Sequence, residues 1–133
     1  MERNTWKQEE RNWATRLGGV RVPVTGRQTG SAPDVQHHRY AIEVKMGKVM
    51  SPRLQKGWFQ AFSSSCFQLA TQSIKKIPLL CITQTNGPGR QNSRFVMLRW
   101  EDFKDMNDFI NQRDEEFASH MNDILIEELE NNK

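Results

Sequence analysis

Asp34, Glu43 and Lys45 are the residues of this chain whose types and spacing could do chemistry. Asp34 follows Pro33, and Glu43-Val44-Lys45 comes after a short gap. In an extended strand alternate side chains share a face, so Glu43 and Lys45 stand together while Ile42, Val44 and Met46 point into a core. The gap holds Gln36-His37-His38-Arg39, a polar run that can turn the chain. A hairpin there returns Asp34 to the side of Glu43. On a strand, His37 and His38 would point to opposite faces, and they are expected to be plain turn residues. Two carboxylates meeting this way are hard oxygen ligands suited to magnesium or manganese. With a lysine beside them they could support metal-dependent cutting of a phosphodiester.

By itself, a Glu-x-Lys pair also fits a solvated strand face. Three neighbouring features favour a site. Asn4-Thr5 can cap a helix starting near Trp6, and Gly18-Gly19 can end it with a left-handed residue. Trp6, Trp13, Ala14 and Leu17 lie on one side of that helix, and Glu10 can project toward the sheet. Arg21 follows in Val20-Arg21-Val22-Pro23-Val24, a strand-like run. The loop Thr25-Gly26-Arg27-Gln28-Thr29-Gly30-Ser31 is basic and rich in hydroxyls, and such a loop can approach phosphates closely.

The ordered set Glu10-Arg11, Leu17-Gly18-Gly19-Val20-Arg21, Thr25-Gly26, Pro33-Asp34 and Glu43-Val44-Lys45 resembles the signature of archaeal-type Holliday junction resolvases, including their phage-encoded relatives. These belong to the restriction-endonuclease-like PD-(D/E)xK nucleases. The matching motifs cover about the first third of the chain, and the helix-to-strand connection is shorter than in typical archaeal members. That leaves Glu9 as the alternative to Glu10 for the helix carboxylate. The resemblance implies an α/β fold with an αβββαβ core, and Mg²⁺ (or Mn²⁺) held by Asp34, Glu43, the Val44 carbonyl and Glu10. It implies that Lys45 orients the attacking water and stabilises charge on the phosphorane. Arg11 and Arg21 match family arginines near the scissile phosphate, and Thr25 sits where the family carries a loop hydroxyl. Arg27, Arg39 and Lys48 complete the expected DNA contacts. Gln68 is a further candidate, since a glutamine on the second helix approaches the site in some related nucleases.

Composition bounds the rest. At 133 residues the chain is expected to be a single nuclease domain with an acidic helical segment at about 101–133. Residues 1–100 hold 16 Lys and Arg against 5 Asp and Glu, a net of +11, whereas residues 101–133 hold 3 against 11, a net of −8. A basic body with an acidic end is the footprint of a polyanion binder. No apolar run approaches a membrane span, and there is no signal-peptide pattern. Cys66 and Cys81 lack metal-ligand spacing and are expected to be reduced core residues of a cytoplasmic protein.

Downstream, Ser51-Pro52 opens a second helix. Leu54, Trp58, Phe62, Cys66 and Leu69 follow at steps near four, which predicts a core-facing stripe or, alternatively, a subunit interface. Residues 78–83 and 94–100 are expected strands, and helices are expected over 102–110 and from Phe117 to the end. The long helix before Pro78 permits a crossover, so the sheet should be mixed and of about five strands. Two opposed cuts in a four-way junction need two sites, which implies a homodimer. The alternatives are a nuclease of the same fold acting on nicks, flaps or duplex sites, and a non-catalytic DNA-binding accessory protein.

Overall fold

The computed structural model describes residues 5–23, 32–48 and 51–132. The chain divides into two compact units, Met1–Leu98 and Arg99–Lys133. The first carries a five-stranded sheet in the order β1 (Val20–Arg21), β2 (Val35–Gln36), β3 (Tyr40–Gly47), β4 (Ile77–Gln84), β5 (Ser93–Met97). Helix α1 (Trp6–Leu17) precedes β1, and α2 (Ser51–Gln72) joins β3 to β4. The β3–β4 pair is parallel and the other pairs are antiparallel, so the sheet is mixed. The reason is local: 22 residues of helix form a crossover, which a parallel pair needs.

α1 has the ends its sequence demands. The Thr5 side chain accepts the Gln8 N–H, and Gly18 closes the helix at φ 74°. Its Trp13 and Ala14 pack on Val35, Ile42, Val44, Leu79 and Cys81, one face of the sheet. Strand alternation puts Glu43, Lys45 and Leu80 on the opposite face, which α2 covers. A Cβ at Gly57 would stand 2.7 Å from Leu80 Cδ1 and 2.9 Å from Lys45 Cγ, so α2 lies against β3 and β4 too closely for any side chain there.

This overturns the expected stripe on α2. Gly57, Ala61, Ser64 and Gln68 are the buried positions, whereas Phe59, Phe62, Phe67 and Leu69 are exposed. Small residues face the sheet because its large side chains already fill the layer, and the aromatic residues turn outward. Cys66 goes with them and is exposed, contrary to the expected core cysteine. Cys81 is buried, and burial pushes its thiol up to about 12.

The second unit is one helix, α3 (Trp100–Asn131), where the sequence pattern predicts two. No Gly or Pro falls between Ile110 and Phe117 to break the run. Glu101 and Asp102 in its first turn suit the positive end of the helix dipole. No helix among the described residues is long and apolar enough to cross a membrane.

Candidate active site

The site grows out of the β2–β3 hairpin. β2 is only two residues long, and Asp34 continues its hydrogen bonding in a different way. The Asp34 N–H donates to the Ile42 carbonyl at 3.0 Å, and its carboxylate Oδ2 accepts the Val44 N–H at 2.9 Å. A side-chain oxygen thus replaces a main-chain acceptor where the strand ends. The N–H and C=O of one strand residue point to the same edge, so the Val44 carbonyl also faces the Asp34 side.

Glu43 follows on the face toward α2, and the Lys45 ammonium lies 3.9 Å from Glu43 Oε1. Asp34 and Glu43 are both buried, and Lys45 is half-buried. Trp6, Glu10, Asp34, Glu43, Val44, Lys45, Met46 and Gln60 together line a cleft of about 380 Å³. Three carboxylates, a lysine and an amide therefore converge from α1, the hairpin and α2. Gln60 Oε1 is buried without a hydrogen-bond partner among the described residues. An acceptor left so is costly unless something donates to it, and a water or a ligand in the cleft would do so.

α1 supplies two carboxylates with different fates. Glu10 lines the cleft and pairs with Arg21, Oε2 to Nε at 2.8 Å. Arg21 in turn lies over the Trp6 ring, 5.9 Å from its centroid. Glu9 is fully buried on the sheet. Its Oε1 accepts from Thr83 Oγ1 at 2.8 Å, Arg94 Nε at 3.0 Å and Arg16 Nη1 at 3.1 Å. Trp13 Nε1 donates to the same Thr83 hydroxyl at 2.9 Å. Burial alone would push the Glu9 carboxyl up. The Arg94, Thr83 and Arg16 hydrogen bonds outweigh it and hold the group below its usual range.

No family model, curated protein or solved structure matches this chain.

Among the described residues no three His, Cys, Asp or Glu side chains form a cluster able to hold a metal ion. The donors lining the cleft are Asp34, Glu43, the Val44 carbonyl and Glu10, all oxygen, and Glu10 is already paired with Arg21. Magnesium takes one or two carboxylates, keeps several waters and completes its shell with substrate phosphate, so this set fits it. Val44 and Gln60 line the same cleft, one offering a carbonyl and the other an unpartnered acceptor.

The other sequence candidates are scattered. Arg11 is exposed on α1 and does not line the cleft, and Lys48 is exposed just past β3. Thr25 and Arg27 lie outside the described residues. Arg39 sits in the β2–β3 turn, away from the cleft lining. Gln68 is buried on α2, but the glutamine of that helix that lines the cleft is Gln60. Gln60 lies three residues after Gly57, the position where α2 touches Lys45, and that glycine is the signal that could have found it. The two histidines do not point apart: their rings stack at 4.3 Å because residues 37–39 bend instead of extending.

Proposed function

We propose that this chain is a metal-dependent endodeoxyribonuclease of the restriction-endonuclease-like type, acting as a Holliday junction resolvase on four-way junctions. The observation that carries the reading is the meeting of Asp34, Glu43 and Lys45 in one cleft, with the Val44 carbonyl turned to the same edge. The mixed five-stranded sheet between α1 and α2 agrees with the αβββαβ core that the resemblance implies.

Asp34, Glu43 and the Val44 carbonyl would hold Mg²⁺, or Mn²⁺ in its place, with Glu10 at the margin. A bound metal supplies Lewis-acid polarisation of the phosphate and a water of lowered pKa. The Lys45 ammonium sits where negative charge grows on the phosphorane and stabilises it. The Gln60 Oε1 acceptor can hold the attacking water in line with the scissile bond. The sugar 3′ oxygen leaves and the product carries a 5′ phosphate. Arg11 and the basic loop around Thr25 and Arg27 would add phosphate contacts, as would Lys48. In this reading Arg21 orders Glu10 and Trp6 in addition to any contact with DNA.

Each chain offers one such cleft, so paired cuts call for a homodimer inside the cell. The outward aromatic residues of α2, Phe59, Phe62 and Phe67, are the material for that interface, with the apolar stripe of α3 as the other source. The experiment is cleavage of a four-way junction with magnesium, beside a linear duplex of the same sequence. Paired cuts in the junction and an intact duplex are expected. Cutting of nicked or flapped DNA in place of the junction would leave the nuclease and remove the resolvase. Binding without cutting in magnesium or manganese would leave only a DNA-binding accessory protein.

A further inference from the structure

We propose that the β2–β3 turn and the α2–β4 connection form a second phosphate-binding surface, separate from the cleft, which grips the backbone of a DNA arm flanking the cut. This rests on the nuclease reading and adds where the arm is held. Two segments distant in sequence are locked together there. The Ile77 N–H donates to the Arg39 carbonyl at 2.9 Å, and the Lys76 ammonium donates to the His37 carbonyl. The Ser65 hydroxyl fixes the Lys76 carbonyl from α2 at 2.5 Å. His37, His38, Arg39, Lys75 and Lys76 are thereby gathered at the start of β3 and β4.

Among the described residues of the first unit, no ion pair is formed by Arg39, Lys75 or Lys76. Lys76 is buried, and its ammonium donates to a backbone carbonyl. The positive charges of Arg39 and Lys76 both bear on His37. The sequence holds no Asp or Glu from Val35 to Ile42, and none between Glu43 and Glu101. Gathering like charges costs stability, and a polyanion offsets that cost. His38, Arg39 and Lys75 are exposed and can meet one. Arg39 is four residues before Glu43, or about 13 Å of strand at the usual rise. Duplex DNA carries one charge per roughly 1.7 Å of axis, so an arm entering the cleft presents several phosphates within that span.

The test is DNA binding in metal-free buffer, where no cutting occurs, followed by fluorescence anisotropy across a range of salt. Arg39→Gln/Lys75→Gln should bind a labelled duplex arm at least about fivefold more weakly at physiological salt. Its log–log salt slope should be shallower by about 0.9 for each phosphate no longer neutralised. Arg39→Lys/Lys75→Arg keeps both charges and should bind as the unaltered protein does. Lys75→Gln alone changes one exposed side chain and gives the same reading, at half the slope change, where the double variant is unstable. Unchanged affinity and slope in the glutamine variants, with the unaltered protein binding normally, would overturn the second surface and leave the nuclease reading intact. No salt-dependent DNA binding by the unaltered protein would overturn both.

Discussion

Glu9 and Glu10 are consecutive on one helix, yet they serve two regions built on opposite principles. Around Glu9 every polar group is matched. One carboxylate oxygen collects Thr83, Arg16 and Arg94, and Trp13 caps the chain of hydrogen bonds. That region ties α1 to β4 and β5. Around Glu10 the surface opens. The cleft keeps three buried carboxylates, a half-buried lysine and a buried amide oxygen with no hydrogen-bond partner among the described residues. Burial of a carboxylate is therefore not itself a functional sign. A buried acid surrounded by fixed cations holds a structure together, whereas buried acids facing a cleft are poised for a ligand.

Substitutions put that contrast at risk, and the largest effect belongs to the cleft. Asp34→Asn or Glu43→Gln should lower junction hydrolysis on the order of a thousandfold or more, the scale of losing transition-state charge stabilisation. The amide oxygen introduced by Asp34→Asn can still accept the Val44 N–H, so Tm and DNA binding should stay near those of the unaltered protein. Hydrolysis within tenfold of normal would remove these carboxylates from the mechanism. Glu9→Gln should do the reverse. Leaving Arg16 and Arg94, each about a third exposed, facing a neutral group should cost about 1–3 kcal/mol of folding stability. Urea denaturation measures this, and cleavage at low temperature should persist. A Glu9→Gln protein that is stable but inactive would move the catalytic carboxylate from Glu10 to Glu9.

Lys45→Ala separates two roles inside the cleft. An ammonium is not a metal ligand, so the single-turnover rate should fall about a hundredfold and stay low at saturating magnesium. Full recovery with added magnesium would show Lys45 acting through metal affinity alone. The smallest effect is one of pH and lies in the hairpin turn. His37 Nδ1 accepts the Arg39 N–H at 2.9 Å, which only an unprotonated Nδ1 can do. Burial, then the charges of His38, Arg39 and Lys76, lower its pKa against the opposing hydrogen bond to the Leu17 backbone. The folded state therefore binds this proton less readily than the unfolded chain. The stability it contributes is present above pH 6.5 and is lost as pH falls through the lowered value. Thermal melts of the unaltered protein should drop by a few degrees over that acid range. His37→Asn, whose amide oxygen can replace Nδ1, should melt with a flatter pH profile. Parallel profiles would take His37 out of the turn's pH response.

Much of this molecule is local and can be read in order along the chain. Thr5 and Gly18 set the ends of α1 because a cap oxygen and a left-handed residue act within a few positions. The Glu43–Lys45 row follows from strand alternation, and the mixed sheet follows from a helix long enough to cross over. Which carboxylate of α1 faces the cleft is not local. Neighbours on a helix point about 100° apart, and the choice is made by Thr83 and Arg94, 74 and 85 residues away. The outward turn of the α2 aromatics is equally hidden. Periodicity marks a face but not its partner, and only the bulk of Leu80 and the Lys45 stem makes a glycine face the one that fits. The ends of α1, the crossover and the Glu43–Lys45 row rest on short-range geometry, so the order of amino acids was enough to read them, whereas the single run of α3 was not read. The face that each helix turns to the sheet rests on volume and charge brought from elsewhere in the chain, and only folding brings those together.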